Sequence, residues 1–240
     1  MPRDEVRLVI TLDETTCDLL ADAGAWLYAL SSARAWSAAA LPLVWMRTRE
    51  YSLSTRVEWE KDVHAFTAQA VFPPADLVFP GFTTPVDAGD VLTVTRRSGI
   101  GTVALQDAFA GIELLNATDT LFTAGLSRRV QGAVAPFCAL PLHGGALEGV
   151  APGSDILLFF STVDAEPGTV LPVSSGPGML VDTGAAPEYA FSFHIDHGWT
   201  GEEGCPVRRV PAGTPLRPLL VRQPGGLLAK VHPHPPPDGG

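Results

Sequence analysis

Val150-Ala151-Pro152-Gly153 leads, after Ser154 and Asp155, into Ile156-Leu157-Leu158-Phe159-Phe160. Glycine supplies the positive φ of a chain reversal and proline pre-sets its own φ, so this stretch reads as a tight turn feeding a buried strand. The same local grammar recurs. Val86-Asp87-Ala88-Gly89 precedes Val91-Leu92-Thr93-Val94, Glu166-Pro167-Gly168 precedes Val170-Leu171, and Pro211-Ala212-Gly213 precedes Leu216. Further strands are expected at Thr102 to Leu105, Gly111 to Leu115, Phe122 to Leu126, Phe137 to Leu140, Met179 to Asp182 and Tyr189 to Ile195. About ten short strands with no helices between them predict a mainly β protein, an antiparallel β-sandwich or jelly-roll-like fold with one N-terminal α-helix.

Upstream of residue 55 the rhythm differs. Val6 to Leu12 is a β-branched run suited to a first strand. Asp13 to Thr16 then offers capping side chains, and Leu19, Leu20, Ala23, Trp26, Leu27 and Leu30 recur at helical spacing. A helix from Thr15 to Ala35 is expected, with Gly24 costing it ~1 kcal/mol. Pro42 turns Leu41 away from helical angles and marks a crossing segment. From Arg56 the residues alternate, with Val57, Trp59 and Val63 on one face and Glu58, Glu60, Asp62 and His64 on the other. The acidic face reads as solvated or edge-protecting, because four positions along a straight strand span too far to converge on one cation. The chain divides into an N-terminal α+β portion (1–95), a C-terminal all-β portion (96–224) packed with it as one unit, and a flexible Pro/Gly-rich tail (225–240).

Composition narrows the function classes. The 240 residues are 46% hydrophobic, with 24 glycines and 22 prolines, too apolar for disorder and too interrupted for long helices. The formal charge of −10 repels phosphate, so no nucleic-acid partner is expected and membrane contact is disfavoured. Of the 16 cationic residues only Lys61 and Lys230 are lysines, and arginines such as Arg47, Arg49 and Arg56 form no basic run. Three separated cysteines (Cys17, Cys138, Cys205) fit a reducing compartment, and the charged start, Arg3-Asp4-Glu5 and Arg7, lacks a signal peptide's apolar stretch. A cytoplasmic location is expected. Asn116-Ala117-Thr118 matches a glycosylation acceptor by chance in that setting.

The densest set of potential ligands is His194-Ile195-Asp196-His197. Histidine beside aspartate suits a general-base pair (His194 and Asp196) or, with His197, a metal site, so a divalent metal is an admissible cofactor. On an extended strand, however, His194 and Asp196 share one face with Ser192, while His197 falls on the other with Tyr189, Phe191 and Phe193. Gly198 offers an end to the strand from which His197 can swing round, and a third ligand would come from His64, His143 or a distant carboxylate. His143-Gly144-Gly145 reads as a hairpin turn whose amides could approach a ligand, and Trp199, after Gly198, as a loop aromatic available for binding. Cys138, inside an apolar run, reads as an inert buried thiol.

No nucleophile elbow, phosphate loop, His-Glu-x-x-His helix or paired Cys-x-x-Cys is present. The leading expectation is a soluble, non-catalytic binding or self-assembling sandwich, working as a homo-oligomer through exposed sheet edges. The alternative is a metal-dependent or acid-base enzyme acting on a small molecule through His194 and Asp196. A third class is a pore-forming-type sandwich in which the Thr15 to Ala35 helix detaches and inserts into a membrane.

Overall fold

A computed structural model describes residues 5–69, 72–73, 77–106, 110–201 and 207–223. Cys205 and the tail from 225 lie outside the described residues. The first elements are β1 (Glu5–Thr11), α1 (Glu14–Asp22), β2 (Trp26–Ala35), β3 (Leu41–Pro42), β4 (Met46–Thr48) and β5 (Ser54–Ala68). Then come β6 (Phe82–Val86), β7 (Asp90–Val94), β8 (Gly101–Leu105), β9 (Ile112–Asn116), β10 (Phe122–Val130) and β11 (Ala133–Leu142). The last are β12 (Leu147–Ser161), β13 (Gly178–Asp182), β14 (Glu188–His194), β15 (Gly198–Gly201), β16 (Val207–Val210), α2 (Leu216–Leu220) and β17 (Val221–Arg222).

The strands form two sheets, so the protein is mainly β and sandwich-like. The first sheet runs β15-β14-β1-β5-β10-β11-β3, with β6 beside β5; the second runs β16-β13-β12-β9-β7-β8, with β2, β4 and β17 joined to β12 through β2. Most pairs are antiparallel, but β1 with β14, β7 with β9 and β17 with β2 are parallel. Both sheets draw strands from either side of residue 95, and that position falls between the paired strands β7 and β8.

Two fifteen-residue strands organise these sheets. β5 pairs with β1 over its first half and with β6 over its second, and its register against β10 slips between Trp59 and Val63. β12 pairs with β9 at one end and β13 at the other, and its register against β2 slips between Pro152 and Ile156. A bulge adds residues to one strand of a pair and bends it, which lets one long strand serve two neighbours in turn.

Sequence and structure part company at residue 24. Asp13 caps α1 by accepting from the Thr16 backbone N–H at 2.9 Å, as its position implied. The helix then stops nine residues on, where Gly24 takes φ +65° and the Gly24 and Ala25 amides donate back to Ala21 and Leu20. That pairing is a Schellman closure, so Gly24 ends the helix instead of interrupting it. Trp26 to Ala35 is the strand β2, correcting the expected helix to Ala35. The cause is burial on both faces. Leu27, Ala29 and Ala33 face the core between the sheets, while Tyr28 and Leu30 join Leu157, Phe159, Leu216 and Leu220 in a second core on the outer side. A doubly buried strand has no polar face, and its apolar residues then mimic helical spacing.

The Thr15 to Ala35 helix invoked for membrane insertion is thus a short helix followed by a paired strand of the second sheet. No described helix is long and apolar enough to cross a membrane. Two turn signals also lead elsewhere than expected. Val170-Leu171 forms no strand, only a bridge from Thr169 to Leu77, and Leu216 opens the helix α2. Asn116 is fully buried, donating to the Thr120 and Leu142 carbonyls and accepting from Thr118, so its glycosylation-like triplet is a turn brace.

Candidate functional site

The histidine cluster sits where β14 turns into β15. His194 ends β14, residues 195–197 form a tight turn, and Gly198 at φ +72° allows the reversal. His197 swings back to stack on His194 with ring centroids 4.6 Å apart. His194 Nδ1 accepts from the Asp196 backbone N–H at 3.1 Å, and its Nε2 lies 3.6 Å from Asp13 Oδ2. The same Asp13 carboxylate accepts from the Thr16 hydroxyl, whose oxygen accepts from the Ile195 N–H at 3.1 Å. These contacts tie the start of α1 to the turn, and the Thr16 donors with the His194 ring hold the Asp13 carboxyl below its usual range. Nδ1 is thus taken by a backbone amide, while Nε2 faces the Asp13 carboxylate beyond hydrogen-bond distance. Asp196 Oδ2 lies 3.9 Å from Nδ1. Among the described residues, no three histidine, cysteine or acidic side chains are grouped to hold a metal ion.

The other expected positions separate from this cluster. His143 is exposed in the turn between β11 and β12, and the Gly145 amide is taken by the Asn116 carbonyl at 2.9 Å, leaving it no role toward a ligand. Trp199 is a correction: it is 2% exposed, stacked on Phe160 at 5.6 Å, and its Nε1 donates to the Pro177 carbonyl. Alternation along β15 turns it inward, so it is core, not a loop aromatic. The acidic face of β5 is not at an edge; Arg7 pairs with Glu58 and Glu188, and Arg129 with Glu60, across neighbouring strands. Cys138 is fully buried and its thiol is pushed up to about 12, as an apolar strand dictates.

His64, opposite Ser127 on β10, is half-buried, and its Nδ1 has no partner. Burial, with Arg129 nearby, lowers its pKa. Above about pH 6.5 the ring is neutral whether the chain is folded or not. Below that value the unfolded chain takes the proton while the folded one resists, so stability falls as pH drops toward the lowered folded value. Denaturant midpoints above and below about pH 6.5 should show this fall in the wild type and a smaller one in His64→Gln. An equal fall in both would remove His64 as the cause.

The most pronounced departure from ordinary packing is Arg128 on β10. It is only 6% exposed, its Nε has no hydrogen-bond partner, and burial lowers its pKa to about 10. Among the described residues no carboxylate pairs with it; its guanidinium carbon lies 5.3 Å over the Phe137 ring. Arg7, Arg47, Arg97, Arg129 and Arg222 all have carboxylate partners. Arg128 instead lines a cleft of about 440 Å³ with Ser32 and Arg34 of β2, the bulge Gly153–Asp155 of β12, and Arg222 of β17. The cleft thus draws its walls from both sheets. A second hollow of about 350 Å³ shares Arg34 and Pro152 with it and adds Lys61 and Asp62, where β5 slips register. The register slips of β5 and β12 therefore border two adjoining hollows.

Arg34, Lys61, Arg128 and Arg222 were scattered cations in the sequence; the fold gathers them. One signal could have exposed Arg128: it extends the apolar strand Phe122 to Leu126 into β10, where a charged residue has few neighbours able to satisfy it. Comparison of the chain with protein-family models, with curated proteins and with solved structures finds no match.

Proposed function

We propose that the protein is a non-catalytic binding protein that takes up a small ligand in the groove between its two sheets. The observation that carries this reading is the unpartnered, buried Arg128 guanidinium at an open cleft. A buried polar group without a partner costs stability, and one that borders a cavity is positioned for a partner from outside. The cleft volume lies within the range of small-molecule sites, about 300–1,000 Å³. Catalysis through His194 and Asp196 is left aside because the Asp196 amide, not its carboxylate, holds His194 Nδ1, and the two side chains stand 3.9 Å apart.

Ser154 is exposed at the bulge and lines the cleft, so Ser154→Trp fills the opening without disturbing the core. A thermal-shift screen of charged and neutral polar metabolites should find a group that raises the wild-type midpoint and leaves Ser154→Trp unmoved. If every stabilising compound acts equally on both proteins, the ligand is not in this cleft.

A further inference from the structure

Building on the binding reading, we infer that the ligand carries a compact dianionic oxyanion, a phosphate or a pair of carboxylates, held by Arg34, Arg128 and Arg222. The first support is register. β17 runs parallel to β2 with Arg222 directly beside Arg34, and like charges at directly paired positions on neighbouring strands repel. Asp155 relieves Arg222 at 2.8 Å, but Arg34 has no ion pair among those of the described residues. The second support is Arg128, which reaches the same cleft from the opposite sheet and has no anion of its own.

Among the side chains that line the cleft, three guanidinium groups and one carboxylate leave a surplus of two positive charges, with Asp182 beside Ser154 just outside it, in a molecule whose formal charge is −10. An oxyanion of two negative charges balances that surplus. Guanidinium groups meet phosphate and carboxylate oxygens through parallel N–H donors, which a lysine cannot reproduce. Ser32 adds a donor: its oxygen accepts from the Asp155 amide at 3.0 Å, leaving its own proton for a ligand. The bulge of β12 lies against that hydroxyl, since a Cβ at Gly153 would collide with Ser32 Oγ. Lys61 in the adjoining hollow gives a longer ligand a second cationic contact.

The test uses the full chain with inorganic phosphate, malonate, and chloride at matched ionic strength, followed by calorimetric titration and thermal unfolding. The expected result is saturable binding of phosphate or malonate by the wild type, with a rise in midpoint that chloride does not produce. Phosphate alone would identify a tetrahedral group, malonate alone a carboxylate pair, and either supports the inference. Arg128→Met should bind at least about tenfold more weakly, yet unfold at a higher temperature than the wild type without anion, because the unpaired buried charge is gone. Arg34→Met, at an exposed position that the core does not depend on, should weaken binding and keeps the test open if the first variant fails to fold. Arg129→Met should bind as the wild type does.

Neither anion acting beyond chloride, or both acting equally on the wild type, Arg128→Met and Arg34→Met, would overturn the inference. Neutral compounds stabilising the wild type but not Ser154→Trp would then preserve the binding reading and discard only the dianion. Failure of every compound would discard both.

Discussion

Gly125→Ala is expected to destabilise the protein by roughly 3 kcal/mol or more, at or beyond the upper end of overpacking costs. Gly125 lies in β10, paired with Phe66 of β5 on one side and Ala139 of β11 on the other. A Cβ there would overlap the Cys138 carbonyl oxygen and stand 2.9 Å from the carbon of that carbonyl and 3.0 Å from Ala139 Cα. These are backbone atoms, so no side-chain rotation relieves the clash. Register between β10 and β11 slips just beyond Gly125, between Leu126 and Ser127, which places the irregularity in the ladder beside the close approach. Relief requires β11 to move away, and β11 carries Phe137, Cys138 and Leu140 into the core. Gly132→Ala is the matched control. Gly132 has φ +80° but nothing within 4 Å of its Cβ position, so only backbone strain of about 1–2 kcal/mol applies. Urea titration of both variants measures the difference; equal losses would show that the Cys138 contact is not the cause.

Trp45→Ala should cost about 3–5 kcal/mol, the range for deleting a large buried aromatic. Trp45 is fully buried and packs edge-on against Trp59 at 5.6 Å and Phe137 at 6.4 Å. Its Nε1 donates to the Arg128 carbonyl at 3.3 Å. Against a total stability of about 5–15 kcal/mol, this single residue then decides whether a large share of molecules stays folded. The same residue supports the cleft, because it packs against Phe137, the ring beneath the Arg128 guanidinium. Trp45→Phe should recover most of the stability, as ring packing is kept and one long hydrogen bond is lost. Denaturant unfolding of the two variants separates packing from hydrogen bonding, and a similar loss in both would assign the effect to the Nε1 contact.

Much of the β architecture was readable without coordinates. Of the turn signals built on glycine, Gly89 stands at a positive-φ turn before the expected strand β7, whereas the turn expected at Pro152-Gly153 is instead a bulge inside the continuous strand β12, where the chain bends without reversing. A β-branched run and short apolar runs located β1, β9, β13 and β14, and alternation located β5. It failed at Trp26 to Ala35, since alternation needs one wet face and β2 is covered on both. It also failed at Leu216, where the turn after Pro211 leads into a short helix whose Leu216 and Leu220 complete the outer core.

The candidate site was legible only in part. His194, Asp196 and His197 were found as neighbours, yet the Asp13 contact that engages the ring comes from the far end of the chain. For Arg128 the local signal is only its extension of the apolar strand Phe122 to Leu126, while the cleft it lines is built by distant strands. Sequence alone determined the β class, the turns at Gly89, Gly168 and Gly213 and the burial of Cys138, since each follows from backbone conformation and hydrophobicity over a few residues. Tertiary structure alone decided that β2 is a strand buried on both sides, and that Arg34, Arg128 and Arg222 meet at one cleft. Burial and charge proximity are set by which strands become neighbours, and that is a property of the pairing of distant segments.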